Sequence, residues 1–138
     1  MVAVSFSVFK EKLLSGEKDQ TIRPFSECRY CQIGKKRLPL QIYWKQRTKE
    51  CEKLFDAVPE EVFPVWLDPD AFMIYLYDRH AGKILLSEKE QEEIIRRDGF
   101  KSREEFFKFF IKKYGRKYLR DNIFMVIRFR RVENVTTT

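Results

Sequence analysis

The chain has 138 residues, a formal net charge of +7 and 43% hydrophobic residues, with 13 Phe, 6 Tyr and 2 Trp. That length fits one domain over 1–138, with enough apolar content for a core filled by large rings. No apolar run is long enough to span a membrane and none near Met1 reads as a signal peptide, so the expectation is a soluble cytoplasmic protein with no membrane partner.

Charge is unevenly placed. From Lys10 to Lys49 there are 11 basic and 4 acidic residues, from Glu50 to Glu105 there are 8 against 15, and from Lys108 to Arg131 there are 9 against 1. Two basic blocks thus flank an acidic middle. If they meet in space they form a face suited to a polyanion, although solvated lysines explain such blocks equally well.

In chain order, Val2 to Phe6 reads as a short apolar strand and Val8 to Leu14 as a helix, with Ser7 a candidate N-cap. Gly16 stands where a left-handed helix stop is wanted. Thr21-Ile22-Arg23 alternates like a strand that Pro24 cuts short or confines to an edge, and the period of two puts Thr21 and Arg23 on one side. Cys28 to Lys36 reads as a loop. Leu38 to Lys45 is a strand with Leu40, Ile42 and Trp44 on one face, and Lys53 to Ala57 is its partner. The prolines and acids of Pro59 to Pro64 predict a loop.

Phe72 to Tyr77 and Lys83 to Leu86 read as strands around an Ala81-Gly82 turn. Ser87 with Glu90, and Ser102 with Glu105, fit capping boxes for helices at Glu88 to Arg97 and Arg103 to Tyr114. The first is a charged surface helix; the second must bury Phe106, Phe107, Phe109, Phe110 and Ile111, and Gly115 ends it. Asn122 to Val132 closes the chain as a strand, with Ile123, Met125, Ile127 and Phe129 on one side and Arg128 and Arg130 on the other. The tail 133–138 reads as frayed. Strands, then two helices, then a last strand predict an α+β fold with a mixed, barrel-like sheet.

Cys28-Arg29-Tyr30-Cys31 has metal-ligand spacing, and Cys51 and His80 are available to complete a zinc site. With no second Cys-x-x-Cys and one histidine in the chain, reduced thiols are the better reading, so no metal and no cofactor are expected. No Ser-His-Asp set or glycine-rich phosphate loop is present. If there is catalysis, Lys18 is the better candidate base, provided that burial or nearby cations lower its pKa. A purely binding alternative uses Arg23, Lys45 and Arg47 on phosphates and Tyr43 or Trp44 as a stacking ring. Trp44, with apolar strand neighbours Leu40 and Ile42, reads first as core.

The run Phe9 to Arg23, a helix ending Leu14-Ser15-Gly16-x-Lys18 followed by Thr21-Ile22-Arg23, resembles the signature of the ASCH domain family, small proteins related to the PUA fold. Leu86-Ser87-Glu88 through Arg97-Asp98-Gly99-Phe100-x-Ser102 and the aromatic helix after it resemble the family as well, and Phe124 to Phe129 falls where its last strand would lie. The resemblance spans about Ser5 to Val132. It implies a PUA-like small mixed β-barrel with flanking helices, and recognition of RNA or a modified nucleoside beside the first helix. Some bacterial members are amidohydrolases that deacylate N4-acetylcytidine with a lysine, a threonine and a glutamate. Those roles fall on Lys18, Thr21 and Asp98, where this chain has aspartate. Asp19 and Gln20 also replace the small or apolar residues usual between the lysine and the threonine.

Overall fold

The computed structural model describes residues 1–132. In order it contains β1 (Val2–Phe6), α1 (Lys10–Ser15), β2 (Gln20–Pro24), α2 (Glu27–Arg29) running into a π-helical segment at Tyr30–Lys35, β3 (Leu40–Trp44) and β4 (Glu52–Asp68). There follow β5 (Met73–Asp78), β6 (Gly82–Leu85), α3 (Glu88–Arg97), α4 (Arg103–Tyr114), α5 (Arg116–Asp121) and β7 (Phe124–Val132). The result is a mixed α+β fold with flanking helices.

β4 is the hub of a seven-stranded sheet. β7 pairs along one edge of it, while the other edge takes β3 near its start and β5 near its end. β1 adds to β3 in parallel, β6 to β5 and β2 to β7 in antiparallel. The sheet does not close, which corrects the expected barrel: β1, β2 and β6 each end a row of strands. The physical reason is local. Pro24 removes a donor from β2, and the Arg23 guanidinium, not a backbone amide, occupies the carbonyl of Ser5 on β1 at 2.5 Å. A side chain therefore spans the place where a barrel would have a ladder.

Two predicted loops are regular structure. Glu27 to Lys35 is helical, started by Ser26, whose hydroxyl accepts the Arg29 amide at 3.4 Å. Pro59 to Pro64 runs straight through β4. The strand tolerates Pro59 because a register shift falls between Pro59 and Glu61, and the Pro59 carbonyl turns away from β7 to accept from Arg37 at 3.1 Å. A residue's missing N–H lies on the same side as its carbonyl, so no β7 hydrogen bond is lost there. Gly115 does end α4, but α5 restarts directly after it. The helix expected at Val8 to Leu14 begins later, after Phe9 at a left-handed φ of 63°, and Ser7 does not cap it; Gly16 stops it at φ 87°.

β7 divides the interior. Phe124 and Val126 pack with Phe106, Phe107 and Phe110 of α4 and with Ile94 and Ile95 of α3. Met125, Ile127 and Phe129 face a second core with Val4, Leu40, Ile42 and Leu13 of α1. Each buried large side chain contributes about 1.5–3 kcal/mol, so α3 is held by its two isoleucines despite its charged composition. Arg128, on the side of β7 opposite Met125, Ile127 and Phe129 as its alternation predicts, is 8% exposed. The predicted fraying of 133–138 lies outside the described residues.

Candidate functional site

The site is built around the strap that joins α1 to β2. Gly16 turns the chain, and the Lys18 amide donates back to the Lys12 carbonyl at 3.0 Å. The Asp19 amide donates to the Arg97 carbonyl and its own carbonyl accepts from Phe129, while the Asp19 carboxylate takes Nε and Nη2 of Arg97 at 2.8 and 2.9 Å. The strap is therefore pinned between the end of α3 and β7. That pinning drives the Lys18 side chain inward.

Inside, Lys18 is 4% exposed and Asp98, the last residue before the Gly99 turn, 3%. Lys18 Nζ donates to the Asp98 carbonyl at 2.5 Å and stands 3.4 Å from Asp98 Oδ1. It also lies 5.4 Å from the centre of the Phe6 ring and 5.7 Å from that of Phe9. Burial among these rings pushes the lysine pKa down and the Asp98 pKa up, against their mutual attraction, so both groups shift toward neutrality.

On β2, Arg23 Nε donates to Thr21 Oγ1 at 2.8 Å, so the expected shared side of these two residues is also a direct contact. Burial lowers the Arg23 pKa, but a guanidinium remains a cation in any case. Lys18, Thr21, Arg23 and Asp98 all line one cleft of about 50 Å³, walled by Phe6, Phe9, Phe100 and Phe109, with Lys113 of α4 at its rim. The cleft lies in the gap between β1 and β2 that Arg23 bridges. Burial lowers the Lys113 pKa and Arg23 lowers it further.

Two residues that sequence reasoning passed over hold this arrangement. Gln20, fully buried, donates from Nε2 to the Ile94 carbonyl at 2.9 Å and to Asp98 Oδ1 at 3.3 Å. Its Oε1 accepts from Arg128 Nε at 3.1 Å, and Arg128 in turn reaches Glu61 at 3.1 Å. The available signal was a polar residue at a strand position whose alternation points into the core.

Tyr43, Lys45 and Arg47 do not join the cleft. Tyr43 is half-buried on β3, Lys45 is paired with Glu50 at 2.8 Å, and Arg47 is exposed in a left-handed turn. Trp44 packs against the second core. Cys28 and Cys51 are exposed thiols and Cys31 a half-buried one, and no metal-binding group of three His, Cys, Asp or Glu occurs among the described residues. A larger groove of about 1220 Å³ runs along α3 beyond the Gly99 turn, but it is open and mixes both charge signs, with Arg97 committed to Asp19. The smaller cleft gathers the buried Lys18–Asp98 pair with Thr21 and Arg23. Among the described residues no helix is long and apolar enough to cross a membrane.

No family model matches the chain, and no curated protein matches it significantly. Among solved structures it is similar to the crystal structure of hypothetical protein PH0355, with a TM-score of 0.52 and 14% identity over 96% of this chain and all of that one. At that identity the likeness concerns the fold alone.

Proposed function

We propose that this chain binds RNA or a modified nucleoside in the Lys18–Thr21–Arg23–Asp98 cleft. The observation that carries the reading is the convergence of a buried lysine–aspartate pair, a hydroxyl and a guanidinium in an aromatic-walled cleft. Ionisable groups displaced from their ordinary pKa by burial and by each other are candidates for function. The resemblance of the Gly16-x-Lys18-x-x-Thr21-Ile22-Arg23 string to the ASCH family points the same way. A cleft of about 50 Å³ is far below the roughly 300–1,000 Å³ of pockets that enclose a whole small molecule, so it takes only a small substituent. A base therefore rests at the mouth, near Lys113, and sends an exocyclic group toward Lys18 and Thr21. Titration calorimetry with N4-acetylcytidine tests this: Thr21→Val and Arg23→Gln should each weaken binding about tenfold, and unchanged affinity in both would overturn the assignment.

A second reading, amide hydrolysis at the same site, is favoured by the lowered pKa of Lys18. Neutral Lys18 would take the proton of Thr21 Oγ1 after leaving the Asp98 carbonyl, and Thr21 would attack the acyl carbon of the substrate. Asp98, its pKa raised, would protonate the departing amine, and water would release the acyl group from Thr21. Arg23 Nε, already donating to Thr21 Oγ1, favours the oxygen as it gains negative charge. Incubation with N4-acetylcytidine, followed by chromatography, should show cytidine and acetate from the wild type and not from Lys18→Ala. Full turnover by that variant removes the mechanism.

A further inference from the structure

α4 and α5 carry an aromatic series that begins at the cleft wall and continues beyond it. Phe110 lines the cleft. Tyr114 stacks on it with ring centres 6.1 Å apart and planes 11° from parallel, and Tyr118 stacks on Tyr114 at 5.6 Å and 21°. Neighbouring pairs such as Phe106–Phe107 and Phe109–Phe110 meet edge-on instead. The fourfold spacing of 110, 114 and 118 stays in phase across Gly115, so three rings step outward from the cleft wall. Phe124 meets both tyrosines at 74° and 78° and fixes their planes. The last ring reaches solvent: Tyr118 is 37% exposed.

Charge accompanies the rings. Lys113, at the cleft rim, has its Nζ 5.7 Å from the Phe109 ring centre and 5.5 Å from that of Tyr114. Lys112 is exposed on α4, and Lys117 on α5 is exposed but shared with Asp121 at 3.6 Å. Tyr118, the solvent-exposed end of this stack beside ammonium groups, suits one base joined by a phosphate to the occupant of the cleft, because every base has a π-face and each link carries a negative charge.

We infer that the occupant of the cleft is one nucleotide within a single strand rather than a free nucleoside, its neighbouring base stacking on Tyr118 and the linking phosphate meeting Lys113. This rests on the nucleoside reading of the cleft and adds to it the length of the ligand. The test compares N4-acetylcytidine with an RNA heptamer carrying it once at the centre, at one salt concentration, by calorimetry. The heptamer should bind at least about tenfold more tightly, and Tyr118→Ala should remove about tenfold from its affinity while leaving that of the nucleoside unchanged. Tyr118→Phe should restore the heptamer value. Equal affinity for the two ligands, or a Tyr118→Ala effect equal on both, overturns the inference and leaves the cleft reading standing. Failure of both ligands to bind overturns the two together.

Discussion

At the scale of single residues, the Lys18–Asp98 contact sets the character of the cleft. Each group is nearly sealed from water, and each is displaced toward neutrality by burial. Removing one partner leaves the other buried against rings and backbone, so Lys18→Met and Asp98→Asn should each cost about 1–3 kcal/mol in urea unfolding. The double variant should cost at least about 1 kcal/mol less than the sum of the two, since the residues share one interaction. The pH dependence has a definite sign. The native lysine pKa is lowered from 10.5, so between that lowered value and 10.5 the unfolded chain binds more protons and stability rises with pH. Asp98 acts on the acid side: its pKa is raised from 3.8, so stability falls as pH climbs from 3.8 to the raised value. The stability of the wild type relative to Lys18→Met should therefore increase as pH approaches 10.5 and level off above it. A flat difference across that range would mean that Lys18 titrates in the native state as it does unfolded.

At the scale of elements, the turn between α3 and α4 positions the acid. Gly99 has φ of +102°, and a Cβ there would stand 2.9 Å from Phe9 Cδ2 on the opposite wall. Gly99→Ala should destabilise by about 1–3 kcal/mol through strain and overlap, and should move Asp98 with it. Ser87→Ala, which removes the capping box of α3 without touching the cleft, should cost about 1 kcal/mol and leave ligand affinity unaltered. The spans of α3 and α4 were legible in the sequence because hydroxyl and carboxylate signals mark their starts, and an Asp-Gly pair and a glycine mark their ends. β4 was not. Proline and acid content normally signals a loop, and the register shift near Pro59 and the outward turn of its carbonyl are tertiary features that no local pattern announces. α5 was hidden behind Gly115, which reads as a stop whether or not a helix restarts. Lys18, Thr21 and Arg23 could be grouped from one short string, and Asp98 only through the family resemblance. Gln20 and Arg128 bridge residues far apart in the chain, a relation that no local pattern encodes.

At the scale of the whole molecule, an unclosed sheet explains where the cleft is. β1 and β2 lie on either side of it without a shared ladder, and one side-chain bond from Arg23 to the Ser5 carbonyl spans them. Edges held by a guanidinium open more readily than paired strands, because a single bond of that kind is worth about 1.5–3 kcal/mol while a ladder adds several cooperating ones. Amides of β1 and β2 near the seam should thus exchange with deuterium faster than those of β7, which is paired on both sides over much of its length. Arg23→Lys, which keeps the charge but loses the fork that reaches both Thr21 and Ser5, should raise exchange at the seam and leave α4 unchanged. A ligand in the cleft that favours the Arg23-bridged arrangement should slow exchange on both sides of the seam together. A ligand held instead in the open groove along α3 would protect the strap and α3 and leave the seam as it was. Exchange measured with and without N4-acetylcytidine separates these outcomes residue by residue. The placement of the cleft at the seam fails if β1 and β2 show no protection at saturating ligand.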